Sequence, residues 1–292
     1  MTAADRQTRL PVVGIYALDQ DVERTSSLGI FHHTRNLLAA LARQVAPGFH
    51  LRVFLSDHNA DTLSPPAWPA WMSVRRAPGG YGTGVRRLWA DHVLAPRLAR
   101  RDGVSVLHFP KGFLPWSPPR GTRLIATVHD TINEYYRSRY ATGGMRRLKC
   151  AYFHRLTLHT LRRADRVLTV SAFSRSELIK LAPDAADRIE VVLTGPGIPT
   201  VAPETAAPRQ GILVIGSPLP HKATAETLRL LGVYAARRQT RLDVTVAGLP
   251  AWPPSWPSLP AGVTIHCTGR LAGQELARLM QSSRVLVLLS EI

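Results

Sequence analysis

Residues 164–198 read ADRVLTVSAFSRSELIKLAPDAADRIEVVLTGPGI and contain a complete strand–helix–strand unit. The run VLTV (167–170) is short, apolar and rich in β-branched residues, which is typical of a buried strand. Ser171 follows it directly and is a good N-cap for a helix over 173–182. A second β-branched run, RIEVVLTG (188–195), comes after a turn. This order predicts two parallel strands joined by a helix.

The same alternation of apolar runs and helix-length segments extends in both directions along the chain. Most runs are apolar throughout rather than alternating with polar residues, which favours strands that are buried on both faces. Further helices are predicted over 29–45, 84–101, 145–163, 221–238 and 272–282. Further strands are predicted over 11–18, 50–57, 71–77, 105–110, 123–130, 211–217, 242–248, 262–269 and 284–290. The predicted fold class is α/β, with two doubly wound parallel-sheet domains.

A proline-rich break divides this pattern in two. The segment 196–210 has four prolines and little periodicity, so we predict a linker there. It separates an N-terminal domain, residues 1–195, from a C-terminal domain, residues 211–292. The second domain holds four predicted strands, and the last of them, RVLVLLS (284–290), is apolar enough to lie inside a sheet. Because sheets of this class commonly have about six strands, we expect the C-terminal domain to be incomplete.

The charge of the chain is strongly positive and unevenly placed. The 292 residues include 37 Lys and Arg against 20 Asp and Glu, a formal net charge of +17. Residues 86–175 alone hold 18 basic and 5 acidic side chains. Such a field favours anionic partners, namely nucleic acid, anionic lipid or a phosphorylated substrate. A composition that is merely biased toward arginine explains the charge equally well.

Composition also excludes several classes of protein. A hydrophobic fraction of 45% and a charged fraction of 20% are typical of globular chains and exclude a disordered one. No apolar run approaches the ~18 residues of a membrane span, so no transmembrane helix is expected. Cys150 and Cys267 match no zinc spacing and cannot form a disulfide framework. We therefore expect a reducing, cytoplasmic compartment.

Five segments resemble, in order, the motifs of one enzyme family. The stretch 164–198 follows the family pattern ADRVITVSEFSRRDLI…DRIRVVPNGVD almost position by position. The others are LGIFHHTRNLLAAL (28–41), ATVHD (126–130), ILVIGSPLPHKA (212–223) and VTIHCTGRLAGQELARLMQSSRVLVLLS (263–290). In this order and spacing they are similar to the retaining glycosyltransferases of family 4.

The resemblance implies the GT-B fold, in which two Rossmann-like domains face a cleft. It implies transfer of a sugar, with mannose as one guess, from a nucleotide-diphosphate donor to a polysaccharide or lipid-linked acceptor with retention. The C-terminal domain would bind the donor and the N-terminal domain the acceptor. No cofactor or metal is expected, because positive side chains and backbone N–H groups would offset the diphosphate charge. A lipid-linked acceptor implies work at the inner face of the cell membrane, where a basic surface would contact anionic lipid.

The chain departs from the family pattern at several positions. Phe31 replaces the second glycine of the N-terminal loop, Thr194 replaces the Asn of PNG, and Ala223 replaces the Asn of HKN. In the family, an EGFG motif opens a pair of glutamates that contacts the donor, and its first glutamate would follow Ile292. Glu291 is therefore not expected to be that glutamate. On this register we expect a fragment, or a product of low activity.

The resemblance also assigns donor-binding candidates, which lie around the ends of predicted strands. Lys222 stands at the start of a helix, where it could reach a phosphate beside the positive end of the helix dipole. The alternative is an exposed lysine on the first helical turn. The remaining candidates are Gly29, Gly216, Ser217, Gly269 and Arg270. Glycine permits close approach of a ligand to the backbone, and a simple turn or helix-start glycine is the alternative in each case.

His129 is the catalytic candidate. It ends the strand RLIATVHD at the carboxyl edge, where open α/β sheets bind ligands. In the family that the chain resembles, this histidine lies near the donor sugar or the reacting centre, and a strand-end histidine bonded to backbone is the alternative. Asp130 is expected to be a turn or cap residue rather than a base. His108, at the end of another strand, is a weaker candidate on the acceptor side.

Two other functions stay open from the sequence. A nucleic-acid-binding protein would use the arginine-rich stretch, although the sequence carries no helix-turn-helix, zinc-finger or RNP signature, so nucleic acid is not the favoured partner. A catalytically inactive scaffold subunit of a glycosyltransferase complex would keep the fold without binding a donor.

Overall fold

The computed structural model describes residues 10–22, 28–140, 143–195, 197 and 208–291. Most of the predicted linker, 196–210, lies outside these residues. The chain divides into two compact units, Met1–Gly197 and Ile198–Ile292, which we call unit 1 and unit 2.

Unit 1 is built on a seven-stranded parallel sheet. Its strands are β1 (Val12–Tyr16), β2 (His50–Ser56), β3 (Met72–Ala77), β4 (Val104–Phe109), β5 (Arg123–Thr127), β6 (Arg166–Thr169) and β7 (Ile189–Val191). They lie in the order β3-β2-β1-β4-β5-β6-β7 and every neighbouring pair is parallel. The order reverses between β1 and β4, and the carboxyl ends of strands at such a switch point are where open α/β sheets bind ligands.

The helices of unit 1 follow the predicted pattern with three differences. They are α1 (Leu28–Ala42), α2 (Ala60–Leu63), α3 (Gly84–Trp89), α4 (Ala95–Arg101), α5 (Ile132–Arg139), α6 (Gly144–Arg163) and α7 (Ala172–Leu181). The helix predicted over 84–101 contains a π-helical segment, Ala90–Leu94, and neither the short helix α2 nor α5 was predicted. The predicted cap of α7 is confirmed, because the backbone N–H of Ser174 donates to Ser171 Oγ at 3.0 Å.

The apolar strands of unit 1 bury side chains on both faces of the sheet. On one face, Ile15 packs with Phe31 of α1 and Val53 of β2. On the other, Tyr16 packs with Phe54 and further core residues. Successive side chains of a strand point to opposite faces, so a strand covered on both sides has to be apolar at every position.

Unit 2 is built on a smaller parallel sheet. Its strands are β8 (Gln210–Ile215), β9 (Leu242–Ala247), β10 (Val263–Gly269) and β11 (Ser283–Val287), and its helices are α8 (Thr224–Arg238) and α9 (Gly273–Ser282). The four strands lie in the order β10-β9-β8-β11. The core joins Val214, Val244 and Val246 of the sheet to Leu228 of α8.

The run 284–290 supplies an edge strand of the described sheet in unit 2. It was expected inside a sheet, but among the described residues β11 forms an edge and pairs with β8 alone. Val285 is 47% exposed and Leu286 is 45% exposed, although they point to opposite faces. These apolar side chains are thus only partly covered by the strands and helices of the described residues.

Across the described ranges of both units, no helix is both long enough and apolar enough to cross a membrane.

Candidate functional site

Three histidines meet at the carboxyl edge of the sheet in unit 1. His108 lies in β4, His129 follows β5, and His33 lies on α1. The rings of His33 and His129 meet edge to face, with centroids 4.8 Å apart and an interplanar angle of 85°. His108 Nε2 is 2.8 Å from the hydroxyl of Thr127 at the end of β5. The structure thus brings together the catalytic and the acceptor-side candidates and adds His33, which the sequence reasoning missed although it stands in the motif-bearing segment GIFHHTRN.

The hydrogen bond of His129 fixes which ring nitrogen is available. Its Nε2 is 2.9 Å from the carbonyl oxygen of Pro110. A carbonyl oxygen only accepts, so Nε2 carries the proton and Nδ1 keeps its lone pair. The alternative interpretation, a strand-end histidine bonded to backbone, therefore accounts for Nε2 of His129 and not for Nδ1. Asp130 beside it accepts from the backbone N–H of Ile132 at 3.0 Å, which confirms its interpretation as a turn residue.

The histidine cluster favours neutral rings. Burial lowers the pKa of His33 to about 4, with a further contribution from His129. Burial, with His33 and His129, lowers the pKa of His108 to about 4. Burial also lowers the pKa of His129, although its bond to Pro110 and the charge of Asp130 act in the opposite direction. At neutral pH the cluster is uncharged and can accept or donate hydrogen bonds without adding net charge.

A buried network of charged groups lies at the switch point between β1 and β4. Tyr16 donates its hydroxyl proton to Asp91 Oδ1 at 2.7 Å. Arg87 Nε lies 3.3 Å from Asp91 Oδ2 and 3.7 Å from Asp19 Oδ2. Lys111 Nζ lies 3.0 Å from Asp19 Oδ2 and also donates to the backbone oxygen of Asp19 at 2.9 Å. Sequence reasoning missed this network, because its members come from three separate segments of the chain.

The network is not fully satisfied internally. Among the described residues, Asp19 Oδ1 is buried without a hydrogen-bond partner, and so are both polar atoms of the Gln20 side chain. Burial, followed by the charge of Asp19, raises the pKa of Asp91 to about 7, so this carboxyl holds its proton far more firmly than an exposed one. One sequence signal was available: Lys111 is one of only four lysines, and it directly follows a strand end in FPKG.

Gly29 is the second residue of α1, and Phe31 lies two residues further along the same helix. A Cβ at Gly29 would meet no described atom within 4 Å, so packing does not require glycine there. Phe31, which departs from the family pattern, is 2% exposed and fills the core below the sheet. Its side chain therefore points into the protein, away from any ligand at the helix start.

In unit 2, glycines surround the carboxyl ends of three neighbouring strands. Gly216 follows β8, Gly248 follows β9, and Gly269 ends β10. Their backbones are joined, since Gly248 N donates to Gly269 O at 2.8 Å and Gly216 N donates to Ala247 O at 2.7 Å. A Cβ on Gly216 would come within 2.5 Å of Val246 Cγ1, and one on Gly248 would overlap the carbonyl oxygen of Gly216. Gly248 has φ +107° and Gly269 has φ +68°, which favour glycine.

The missing side chains of these glycines let the strand ends pack closely on one another, and several candidates lie around this edge of the sheet. Gly248 was missed, although it ends its strand as Gly216 and Gly269 end theirs. Ser217 donates its backbone N–H to Thr224 Oγ1 at 3.0 Å and accepts from Leu219 N at 3.2 Å through its own hydroxyl. Arg270 follows Gly269 and is exposed. The edge is therefore lined by backbone, a hydroxyl and a cation.

Lys222 ends a 3-10 turn, Pro220–Lys222, one residue before α8. Within the described part of the chain it makes no ion pair, so its ammonium group is available. Ala223 follows with φ +44° and ψ +35°, the left-handed region that asparagine and glycine tolerate best. The asparagine that the family pattern has here is thus the residue that the backbone favours. Within the described residues, no group of three or more His, Cys, Asp or Glu is arranged to hold a metal ion.

Comparisons with known proteins agree with this fold. The crystal structure of Arabidopsis thaliana UGT89C1 complexed with UDP matches with 12% identity and a TM-score of 0.50, over 95% of this chain and 74% of that one. The crystal structure of LpCGTa in complex with UDP matches with 12% identity and a TM-score of 0.50, over 95% of this chain and 79% of that one. At such low identity the likeness shows the fold alone. A comparison with curated protein sequences finds no significant match.

The fold is α/β and of the GT-B type, with two parallel-sheet domains of which the second is smaller. A family model described as Glycosyltransferase Family 4 matches residues 29–196, which is more than half of the chain. The match contains all of α1 after Leu28, the strand end at His129, and residues 164–196 of the strand–helix–strand unit. On this evidence the chain belongs to glycosyltransferase family 4.

Proposed function

We propose that this protein transfers a sugar from a nucleotide-diphosphate donor to a saccharide or lipid-linked acceptor, with retention of the anomeric configuration. Unit 2 binds the donor and unit 1 receives the acceptor. Mannose is one candidate for the sugar. The protein acts in the cytoplasm at the inner face of the cell membrane, where lipid-linked acceptors are exposed.

The carboxyl edge of the sheet in unit 2 carries this proposal. There Gly216, Gly248 and Gly269 let three strand ends pack closely together, and Lys222 stands just before α8 without an ion pair among the described residues. A diphosphate needs a nearby cation, and a helix start adds the favourable end of its dipole. Arg270 supplies a second cation at the same edge. We therefore propose that transfer needs no resident metal.

The chemical step follows from the donor. The bond between the anomeric carbon and the diphosphate oxygen breaks, and the nucleoside diphosphate leaves with the electron pair. The hydroxyl oxygen of the acceptor forms the new bond to the anomeric carbon on the same face and gives its proton to an oxygen of the leaving diphosphate. Lys222 stabilises the negative charge that develops on the leaving group, which is the largest change of charge in the reaction.

His129 contributes a neutral hydrogen-bond acceptor. Because Nε2 donates to Pro110, Nδ1 is free to accept a hydrogen bond from a sugar hydroxyl. The lowered pKa keeps the ring uncharged, so it adds no repulsion toward the positive charge that builds up on the sugar in the transition state. The ring of His33 packs edge to face against that of His129 and helps to hold it in place.

The role of Lys222 is tested by titrating the full chain with UDP and with GDP in a calorimeter. Lys222→Ala removes one charge-assisted hydrogen bond, which costs about 1.5–3 kcal/mol, or roughly a 10- to 150-fold rise in Kd. The matched control is Lys180→Ala, because Lys180 is an exposed lysine of unit 1 that pairs with Glu177.

Three outcomes are informative. Weakened binding in Lys222→Ala with unchanged binding in Lys180→Ala supports the donor site. Equal affinity in both variants assigns Lys222 to the solvent-exposed surface and removes it from the site. A chain that is folded but binds neither nucleotide contradicts the enzymatic proposal and favours the inactive scaffold.

A further inference from the structure

An exposed surface of unit 1 combines apolar and basic side chains, and we call it the α3–α6 surface. Its apolar members are Val85, Leu88 and Trp89 of α3 and Met145 and Leu148 of α6, and its basic members are Arg86, Arg146, Arg147 and Lys149. Val85 and Met145 are each 81% exposed, and Leu148 is 67% exposed. Single exposed apolar residues are ordinary, but this many on two helix starts mark an interaction surface.

The geometry of α6 explains why its first two turns are uncovered. Its 20 residues extend over about 30 Å, whereas the five residues of β5 extend over about 17 Å. The buried residues of α6 all lie in its second half: Leu156, Thr157, Thr160 and Leu161. Since α6 ends three residues before β6 begins, its first half projects past the carboxyl edge of the sheet. Met145 and Leu148 therefore have no sheet to pack against.

Contacts within unit 1 connect α3 and the segment after it to the middle of α6. The guanidinium carbon of Arg87 lies 5.9 Å from the ring centroid of Phe153 on α6. His92, in the π-helical segment after α3, lies with Nε2 2.9 Å from the hydroxyl of Tyr152. The ring of His92 also stacks on Trp116, with centroids 6.1 Å apart, and Trp116 is 43% exposed. Trp116 thus extends the same surface.

The apolar and basic side chains of this surface indicate which class of partner it would bind. Segments 84–89 and 143–163 contain no Asp or Glu, so basic charge surrounds the apolar side chains. Exposed Trp beside Leu, Val and Met, with Lys and Arg around them, matches the boundary between lipid headgroups and acyl chains. A nucleic acid would use the basic groups but would leave Met145, Leu148 and Val85 in water.

We propose that the α3–α6 surface docks on an anionic lipid bilayer, inserting its apolar side chains between headgroups that its basic side chains contact. This proposal rests on the proposed function, because docking on a bilayer would serve sugar transfer to a lipid-linked acceptor. A bilayer at the carboxyl edge of unit 1 would hold a lipid-linked acceptor near the histidine cluster. Vesicle binding is measured without donor or acceptor, so its failure is distinct from a failure of sugar transfer.

The test measures co-flotation of the full chain with vesicles of phosphatidylcholine alone and with vesicles containing a third phosphatidylglycerol. The apolar variant is Met145→Gln with Leu148→Gln, and the basic variant is Arg86→Gln with Lys149→Gln. The matched control is Arg43→Gln with Val45→Gln, an exposed basic and apolar pair between α1 and β2 at the opposite edge of the sheet. All the altered side chains are exposed, so folding is checked by the melting temperature.

Binding to anionic vesicles is expected, with little binding to phosphatidylcholine. The basic variant should bind about 25-fold more weakly, because each cation near an anionic surface contributes about fivefold. The apolar variant should lose about tenfold or more, and the control should be unchanged. Equal binding by the chain and both surface variants would overturn the proposal. So would binding to a DNA duplex that only the basic variant weakens, in the absence of vesicle binding, since that result would assign the surface to nucleic acid.

Discussion

Asp91 has the most perturbed carboxyl group described in this chain, and the cause is its position. Burial removes it from water, and Asp19 places a second carboxyl group nearby, so its pKa rises to about 7 despite the opposing charge of Arg87. Tyr16 beside it stays protonated, because burial and the two acids raise the pKa of its phenol. Such a network at a switch point is a candidate for contacting acceptor hydroxyl groups.

The raised pKa predicts how stability depends on pH. The folded chain holds a proton on Asp91 that the unfolded chain has lost, so the stabilisation is complete below about pH 4 and is lost as pH rises through about 7. Asp91→Asn cannot titrate. Its free energy of unfolding should therefore rise relative to wild type by up to about 1.4 kcal/mol per pH unit between pH 4 and 7.

Urea unfolding at several pH values measures this difference. The control is Asp61→Asn, which removes an exposed carboxyl group in its pair with Arg76. A constant difference between Asp91→Asn and wild type across pH 4–7 would show that Asp91 ionises as an ordinary carboxyl group does.

Ala223 gives a second prediction at the residue scale. Its left-handed backbone, φ +44°, is unfavourable for alanine and free of cost for glycine. Ala223→Gly should raise the free energy of unfolding by about 1 kcal/mol, measured by urea denaturation. Ala236→Gly is the matched control, because Ala236 is an exposed residue within α8 and glycine there should lower stability by up to about 1 kcal/mol. Destabilisation by both changes would contradict the assigned backbone.

The sequence predicted individual site residues only where a local pattern carries them. His129, Gly216 and Lys222 stand at strand ends or helix starts within short motifs, and the structure places them at those positions. Their roles stay predictions. Asp19 and Asp91 were not predicted, because what makes them unusual is their proximity to each other and to Lys111, which no local pattern encodes.

At the scale of elements, the alternation of apolar runs was enough to predict all eleven strands and most helices. Apolar runs do not predict the position of a strand within its sheet, as β11 illustrates. Its apolar residues predict burial on both faces, yet the strand lies at an edge of the described sheet with Val285 and Leu286 exposed. Hydrophobic periodicity and composition indicate that both faces of a strand are suited to burial, but they do not indicate which element packs on them.

An exposed apolar edge strand predicts self-association of this chain. A flat edge with unpaired backbone groups is a template for pairing with another copy, and charge on an edge opposes that pairing. Leu286→Lys should therefore reduce light scattering of the 292-residue chain at high protein concentration. Leu230→Lys is the control, since Leu230 is 40% exposed but lies on α8. Equal reduction by both variants would attribute the effect to net charge instead of to the strand edge.

At the scale of the whole molecule, the two units differ in charge and in the groups gathered at their sheet edges. Unit 1 carries the basic stretch 86–175, the histidine cluster and the buried acids. Unit 2 carries the glycines of the open sheet edge with Lys222 and Arg270. This division favours a donor bound by backbone and cations in unit 2, and an acceptor bound by hydrogen-bonding side chains in unit 1. The domain limits 1–195 and 211–292 stay predictions.

Hydrogen exchange of the full chain with and without a saturating nucleoside diphosphate tests the donor site most directly. Bound UDP or GDP should slow exchange in the segments that follow β8, β9 and β10, which contain Gly216, Gly248 and Gly269, and at the turn that carries Lys222. Exchange around the histidine cluster should change little without a sugar. Slower exchange confined to the basic stretch 86–175, or no change in unit 2 at saturation, would contradict a donor site at the glycine-lined edge.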